Sequence, residues 1–243
     1  MALQPGRNLG PYRIVSPLGA GGMGEAWAID VASGGRRRFE TPGDAVQPRW
    51  SPHGQRLAFY SSREGDYQAF TVRPDGSELR RLSAVPGGLW YVAWSPDGSQ
   101  IACGGEEAAW QIDLRQPAGE AAARRLPSID QTHSFCPRSW SPDGAALAGI
   151  AIDSGGVWRG LYVLSLASGV YRRLGDQDEL VVWLDAGHLV AGTSRGEIQI
   201  VDARSGEARE LARGLVPSVS ADGRWLTYVE QSEEADVWMG SLP

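Results

Sequence analysis

The sequence predicts an all-β fold, and three observations carry this prediction. Glycine and proline account for 32 and 15 of the 243 residues, as in chains with many tight turns. The chain also holds ten tryptophans, and a bulky, stiff residue used this often fits a repeated packing position. A short tryptophan-containing unit recurs about every 40 to 45 residues, with several short strand patterns in each repeat. Together these features predict a β-propeller of about five four-stranded blades.

The repeated unit reads Trp-Ser-Pro-Asp-Gly or a close variant of it. In this unit proline presets φ for a turn, aspartate bonds its own backbone, and glycine takes the left-handed conformation. Short apolar runs flank each copy, so each copy predicts a tight turn between two antiparallel strands. Clear copies lie at residues 50–54, 94–98 and 140–144, a worn copy at 183–187, and a last copy, with valine in place of tryptophan, at 219–223.

Two further strand patterns follow each turn unit and bring the count to four strands, which make one blade. Third strands are predicted at residues 68–72, 109–114, 160–166 and 197–201. Fourth strands are predicted at residues 79–82, 123–126, 171–174 and 208–211. Three of the fourth strands carry arginine pairs, which we interpret as a solvated rim because charges protect the edge of an outermost strand.

The two ends of the chain are incomplete in matching ways. The last repeat stops after a third strand at residues 236–242, and residues 36–41 read as a fourth strand that has no first or second strand. Pairing these two segments would close the last blade with an N-terminal strand and remove two exposed edges. Residues 26–31 then read as a surplus third strand. The sequence leaves open whether this strand pairs outside the ring, stays disordered or indicates a sixth blade.

The Trp-Ser-Pro-Asp-Gly repeats resemble the TolB-like, WD-related propeller repeats of bacteria. The resemblance covers residues 26–243, because the motif recurs at blade spacing through this whole segment. It implies a scaffold or sensor that binds a protein, peptide or glycan through one face of the ring.

A second resemblance lies in residues 1–25, which look like the opening of a bacterial serine/threonine protein kinase. Gly19, Gly21 and Gly24 match the glycine-rich loop that covers ATP phosphates in that family. The lysine expected on the next strand, the His-Arg-Asp loop and the Asp-Phe-Gly motif are all absent from the sequence. We therefore interpret residues 1–25 as a poorly ordered remnant with a vestigial loop, and we expect no cofactor and no enzymatic activity.

Composition narrows the range of partners and locations. A formal net charge of −6 argues against a nucleic-acid partner, which requires a positive surface. The start of the chain lacks the apolar core of a signal peptide, and the most apolar stretch, residues 180–192, is too short to span a membrane. These features predict a soluble, cytoplasmic monomer. Cys103 and Cys136 are interpreted as small buried hydrophobes, and the three histidines lie too far apart in sequence to suggest a metal site.

Candidate binding residues lie where loops interrupt the repeat. Propellers bind ligands through loops around the central channel, so residues that break the repeat are the best candidates. Two such loops lead into the first strands of the second and third blades. They nominate Trp90, Tyr91, His133 and Arg138 as a ligand surface. The repeated tryptophans are instead predicted to pack between neighbouring blades.

Three functional hypotheses follow. The leading one is a non-catalytic binding propeller related to kinase-linked proteins. The alternatives are a propeller hydrolase or lyase with a site in the central channel, and an inactive kinase fragment produced by gene rearrangement. The enzyme alternative requires converging carboxylates, and the candidates are Asp130, Asp176, Asp178 and Glu179, which the repeat does not bring to the axis.

Overall fold

In the computed structural model the described residues are 8–9, 12–13, 27–29, 36–38, 46–105, 108–116, 123–219, 224–230 and 236–241. All regular structure in these ranges is β-strand, which confirms the predicted all-β class. Two short hairpins come first: β1 (Asn8–Leu9) with β2 (Tyr12–Arg13), and β3 (Trp27–Ile29) with β4 (Arg36–Arg38). The glycine-rich loop at Gly19, Gly21 and Gly24 lies outside the described residues, and the division into 1–25 and 26–243 stays a prediction.

Five antiparallel sheets follow, which we number as blades 1 to 5. Blade 1 consists of β5 (Val46–Trp50), β6 (Leu57–Ser61), β7 (Gln68–Val72) and β8 (Arg80–Arg81). Blade 2 consists of β9 (Leu89–Trp94), β10 (Gln100–Gly105), β11 (Trp110–Asp113) and β12 (Ala123–Arg125). Blade 3 consists of β13 (His133–Trp140), β14 (Ala146–Asp153), β15 (Trp158–Ser165) and β16 (Tyr171–Gly175).

Blade 4 consists of β17 (Val181–Trp183), β18 (His188–Gly192), β19 (Glu197–Asp202) and β20 (Ala208–Arg213). Blade 5 has the three strands β21 (Leu215–Val219), β22 (Trp225–Glu230) and β23 (Asp236–Ser241). In every blade the strands pair in sequence order. The first strands of successive blades contact one another, from β5 to β9, β13, β17 and β21, so they form the inner wall of the arrangement.

The N-terminal strand does not pair as the sequence analysis expected. Arg36–Arg38 forms a hairpin with Trp27–Ile29, the segment interpreted as a surplus third strand, and the two make a separate two-stranded sheet. Blade 5 accordingly contains three paired strands. A hairpin between neighbouring segments closes only a short loop, which favours this local pairing.

The turn units have the predicted geometry. Gly54, Gly98 and Gly144 have φ of 66°, 68° and 72°. The backbone N–H of each glycine donates to the carbonyl of the serine in the same unit. In the second unit the Asp97 carboxylate accepts bonds from the Ser95 hydroxyl at 2.6 Å and from the Ser99 hydroxyl and backbone N–H at 2.7 and 3.0 Å. These donors, Ser95 first, lower the pKa of Asp97 to about 2.

The hydrophobic core lies between successive blades. One cluster joins Ala58 and Ala69 of blade 1 to Val92 and Ile101 of blade 2. Equivalent clusters join blades 2 and 3, blades 3 and 4, and blades 4 and 5. Because both faces of a blade must be covered, the strands carry apolar residues on both sides, as in Leu57–Ser61, which is buried at four of its five positions.

The repeated tryptophans connect neighbouring blades, as the sequence indicated. The Trp140 indole N–H donates to the Ala93 carbonyl at 2.9 Å, and the Trp94 indole N–H donates to the Arg49 carbonyl at 3.1 Å. Each acceptor is a backbone oxygen on the inner strand of the preceding blade. The same side chain therefore fills the gap between two blades and fixes their separation.

The Trp140 bond predicts a difference between two equivalent positions. Trp140 is 7% exposed and Trp50 is 51% exposed. Replacing Trp140 with phenylalanine removes a buried hydrogen bond and part of a packed ring, so Trp140→Phe lowers the free energy of unfolding by about 2 kcal/mol. Trp50→Phe costs less than about 0.5 kcal/mol. Urea denaturation measures both, and equal losses would contradict the proposed role of the indole.

The Asp97 network predicts a pH dependence. Because folding depresses the pKa of Asp97, its contribution is present above about pH 4 and disappears as the pH falls toward about 2. Asp97→Asn therefore lowers stability at pH 7 by about 1 kcal/mol, and the difference from the unmodified protein shrinks as the pH falls through about 2 and is absent only below that pH. His53→Asn, at the equivalent position of the first turn, is the control. A pH-independent difference for Asp97→Asn in thermal melts would exclude this explanation.

Candidate ligand channel

The innermost strands of all five blades surround one cavity. Residues on or beside β5, β9, β13, β17 and β21 line it, and its volume is about 340 Å³. It is the central channel of the blades, and its size is within the range of small-ligand pockets. A ligand held here would contact several blades at once.

Five of the lining residues occupy the same repeat position, and we call them the inner ring. Each lies three residues before the tryptophan position of its repeat. The inner ring consists of Gln47, Tyr91, Pro137, Leu180 and Val216. These side chains comprise one amide, one phenol and three apolar groups, so blades with the same backbone present different chemistry to the channel.

Three members of the inner ring hold backbone conformations that residues other than glycine rarely adopt. φ is 48° at Gln47, 56° at Tyr91 and 55° at Val216. At each of these positions the pairing with the second strand of the blade shifts register, as in a β-bulge. Such conformations cost about 1–3 kcal/mol each and persist where the surrounding structure holds them. Bulges redirect side chains, and these three strained residues lie at the channel wall.

In blade 3 the bulged residue is Arg138, which the strand pairing skips between Pro137 and Ser139. The guanidinium carbon of Arg138 lies 3.4 Å from the centroid of the Tyr91 ring and 4.8 Å from that of Trp158. Both distances are within the range of cation–π contacts, so two aromatic rings hold this cation in place. Its Nε is buried and has no hydrogen-bond partner among the described residues.

A second arginine enters the channel from blade 1. Arg49 precedes the tryptophan position of its repeat, where the other blades place the smaller residues Ala93, Ser139, Val182 and Ser218. Burial by the channel wall and then the charge of Arg138 lower the pKa of Arg49. The described residues that line the channel include no aspartate or glutamate. The channel is therefore positive, although the chain as a whole carries a net charge of −6.

Aromatic rings surround Arg138 on one side of the channel. The Tyr91 ring lies 6.0 Å from Trp158 and 6.3 Å from Tyr60, and Tyr60 lies 5.5 Å from Tyr67. Burial, and then the neighbouring phenols, raise the pKa of Tyr60 to about 12, so this phenol stays neutral. The group offers flat apolar surfaces together with hydroxyl donors, a combination suited to peptide side chains and carbonyl groups.

The other two predicted site residues line a separate cavity. Trp90 and His133 contribute to a cavity of about 810 Å³ between blades 2 and 3, with Asp130, Asp153 and Phe135. Trp90 and Tyr91 are consecutive on β9, so one strand supplies a residue to each cavity. The sequence analysis thus nominated two residues of the channel, Tyr91 and Arg138, and two residues of the 810 Å³ cavity, Trp90 and His133.

His133 and Asp130 form a close pair in this second cavity. His133 Nδ1 lies 2.9 Å from Asp130 Oδ2, and the Asp130 carboxylate also accepts the backbone N–H groups of Thr132 and His133. The Thr132 backbone and hydroxyl are the main cause of the low Asp130 pKa of about 2. Asp185 and His188 repeat this arrangement in blade 4, with a distance of 3.0 Å. Its recurrence indicates a turn-forming device rather than a dedicated catalytic pair.

The carboxylates considered for an enzyme site lie apart from the channel. Asp176 and Asp178 line a third cavity of about 340 Å³ that also includes Glu197. Asp178 accepts both the backbone N–H and the hydroxyl of Ser194 at 2.7 Å. Asp130 belongs to the 810 Å³ cavity, and Glu179 lines neither of these cavities, so the four predicted acidic residues do not converge.

Sequence reasoning missed Arg49 and Gln47 in the channel lining, and it missed Trp158, which contacts Tyr91 and Arg138. Arg49 breaks the repeat within a strand, where small residues occur in the other blades, and the same rule that selected loop residues would have found it. Trp158 begins β15 of blade 3 and contacts Tyr91 of the neighbouring blade 2, a contact that no spacing in the sequence indicates. The bulge that exposes Gln47 likewise has no sequence signal.

Further features bear on the remaining expectations. Cys103 and Cys136 are buried free thiols, as predicted, and burial raises the pKa of each. Within the described ranges no group of three or more histidine, cysteine, aspartate or glutamate side chains is placed to hold a metal ion. The same ranges contain no helix long and apolar enough to cross a membrane. The cytoplasmic location and the monomeric state stay predictions.

Comparison with known proteins identifies relatives named as peptidases. The uncharacterized peptidase YuxL of Bacillus subtilis is 27% identical over 217 residues, which is 86% of this chain and 25% of YuxL. Dipeptidyl-peptidase 5 of Porphyromonas endodontalis is 25% identical over 235 residues, 84% of this chain and 32% of that protein. The chain thus spans about a quarter to a third of the length of these relatives. No family model matches the chain.

Solved structures confirm the propeller fold. TolB of Acinetobacter baumannii superposes with a TM-score of 0.65 at 18% identity, over 89% of this chain and 57% of that one. A TolB from Agrobacterium tumefaciens, described as putative, gives 0.69 at 17% identity, over 88% and 83%. Oligogalacturonate lyase in complex with manganese gives 0.65 at 13% identity, over 89% and 69%. At these identities the likeness establishes the fold, a TolB-like β-propeller.

The expectation that the chain is not an enzyme is wrong. It rested on the missing kinase motifs, which exclude one class of enzyme, whereas the relatives are named peptidases and a structural neighbour is a lyase. A propeller can serve quite different chemistry, because function resides in the site rather than in the fold.

The strained inner ring predicts an unusual effect of glycine. Val216 is 58% exposed with a left-handed backbone, so Val216→Gly relieves a β-branched residue of strain and raises the free energy of unfolding by up to about 1 kcal/mol. Val170 is 62% exposed and has no positive φ, so Val170→Gly lowers the free energy of unfolding by about 0.5–1 kcal/mol. Denaturation curves that show the same loss for both variants would contradict the strain at Val216.

Proposed function

We propose that this chain is the substrate-recognising propeller of a peptidase-type hydrolase, and that its central channel receives a peptide. The observation that carries the proposal is the arrangement of Arg138 between Tyr91 and Trp158. There a cation at the channel wall is held by two rings, and its Nε has no hydrogen-bond partner among the described residues. This arrangement combines aromatic surface with directed N–H donors.

The channel chemistry supports a peptide ligand. A peptide presents carbonyl oxygens that accept hydrogen bonds and side chains that pack on aromatic rings. The guanidinium groups of Arg49 and Arg138 supply donors, and Trp50 and Tyr91 supply rings in the channel lining. A volume of about 340 Å³ limits the bound segment to a few residues, so the channel selects the end or a narrow loop of a chain.

The relatives support the same assignment. Both peptidases match more than four-fifths of this chain, and the match accounts for a third or less of their own length. The part that this chain shares with them is thus one module, which we assign to recognition of the substrate. The likeness to the lyase is limited to fold, so the peptidases determine the class of ligand that we propose.

Peptide binding by the full chain tests the proposed function. An equimolar mixture of tripeptides with phenylalanine at the central position is titrated in saturation-transfer NMR and in calorimetry. We expect saturable binding that Trp158→Ala weakens at least about tenfold, because this ring holds the Arg138 guanidinium at the channel wall by a cation–π contact worth on the order of 1–2 kcal/mol. The control is Leu79→Ala, an exposed apolar residue outside the channel lining.

Two outcomes would overturn the proposal. One is the absence of saturable binding by the unmodified chain at millimolar peptide. The other is binding that both variants retain equally, which would place the peptide outside the channel. Thermal melts of Trp158→Ala separate a local loss of binding from a loss of folding.

A further inference from the structure

Neither charged side chain in the channel is neutralised by a carboxylate. At seven positions outside the channel an arginine pairs with a carboxylate within 4 Å: residues 56, 73, 81, 115, 159, 173 and 213. Arg49 and Arg138 have no carboxylate partner in the part of the chain that the structure describes. In a chain with a net charge of −6, one cavity thus contains two guanidinium groups whose charge no described carboxylate offsets.

The geometry of Arg138 prepares it for an anion. The contacts with Tyr91 and Trp158 hold the guanidinium in place, so little side-chain freedom remains to be lost on binding. The N–H groups of a guanidinium lie in its plane, and along one edge they can donate two parallel hydrogen bonds to a carboxylate. The buried Nε without a partner is a donor of this kind, and an unmet buried donor is costly until a ligand oxygen reaches it.

Arg49 supplies the second positive charge. It shares the channel with Arg138, and the two repel, which is one cause of the lowered pKa of Arg49. An anion in the channel would relieve this repulsion, and the low-dielectric walls would strengthen its attraction to both groups. The inner ring adds no negative charge that could compete with the ligand.

We propose that the channel recognises a carboxylate group of the bound peptide through Arg49 and Arg138. This inference rests on the proposed function, because it assumes a peptide ligand, and it adds the group by which that ligand is selected. The carboxylate comes either from the peptide C-terminus or from an acidic side chain. Both sources share the planar, two-oxygen geometry that matches a guanidinium edge.

Calorimetry with defined probes tests this inference on the full chain at low salt. The probes are Ala-Phe-Ala with a free C-terminus, the same tripeptide as its C-terminal amide, and Glu-Phe-Ala amide, in which the only carboxylate is on a side chain. We expect at least one carboxylate peptide to bind about tenfold or more tighter than Ala-Phe-Ala amide, since bonds to charged groups contribute about 1.5–3 kcal/mol. The tighter of the two identifies the source.

Variants of the arginines locate the carboxylate. Arg138→Gln and Arg49→Gln should each remove most of the difference between acid and amide, whereas Arg209→Gln, on the outermost strand of blade 4, should preserve it. Arg138→Lys keeps the charge and loses the two-pronged edge, so it should bind the acid more weakly than the unmodified chain. A thermal melt of each variant shows whether it is folded. The ratio of the affinities for the acid and the amide is measured on the unmodified chain and therefore does not depend on whether a variant folds.

The outcomes separate this inference from the proposed function. If the amide binds as tightly as both carboxylate peptides and Trp158→Ala still weakens it, peptide recognition stands and the carboxylate inference is overturned. The inference is likewise overturned if the carboxylate preference survives both arginine substitutions. If no tripeptide binds and digalacturonate does, both proposals fail and the channel recognises a sugar acid.

Discussion

The hydrogen bond from a tryptophan indole to the inner strand of the preceding blade is the interaction on which the rest of the structure depends. It is made by Trp94 to Arg49 and by Trp140 to Ala93. It holds the first strands of neighbouring blades at a fixed separation, and these strands enclose the channel. The residues that precede the tryptophans on these strands line the cavity. The residue that joins two blades and the residues available to a ligand are therefore only a few positions apart on the same strand.

The repeat made most of the fold predictable, because turn chemistry and strand alternation are local properties. Gly98 and Asp97 behave as their sequence unit indicates. The partner strand of Arg36–Arg38 was not predictable in the same way. Its pattern was compatible with pairing to Trp27–Ile29 or to β23, and the shorter connecting loop favours Trp27–Ile29. Tyr91 and Arg138 were found as interruptions of the repeat. Arg49 and Trp158 depend on how blades converge and on strand bulges, which a linear sequence does not record.

The site and the relatives point in the same direction. The channel has cations, rings and no described carboxylate, which are features of recognition. The peptidases that resemble this chain are three to four times longer than the segment they share with it. A propeller that selects peptides by a terminal or side-chain carboxylate would control which substrates a peptidase accepts. Strain at Gln47, Tyr91 and Val216 is consistent with this role, since left-handed residues concentrate where a fold positions functional groups.

The Nε–H of Arg138 offers the most direct test of this account. Its NMR signal, assigned by its loss in Arg138→Lys, reports a buried donor at the channel wall that has no hydrogen-bond partner among the described residues. We predict that addition of a carboxylate tripeptide moves this signal downfield to a saturating limit, as expected for a new hydrogen bond to a charged acceptor. A signal that stays fixed while His133, in the neighbouring cavity, responds to the peptide would contradict the channel as the binding site.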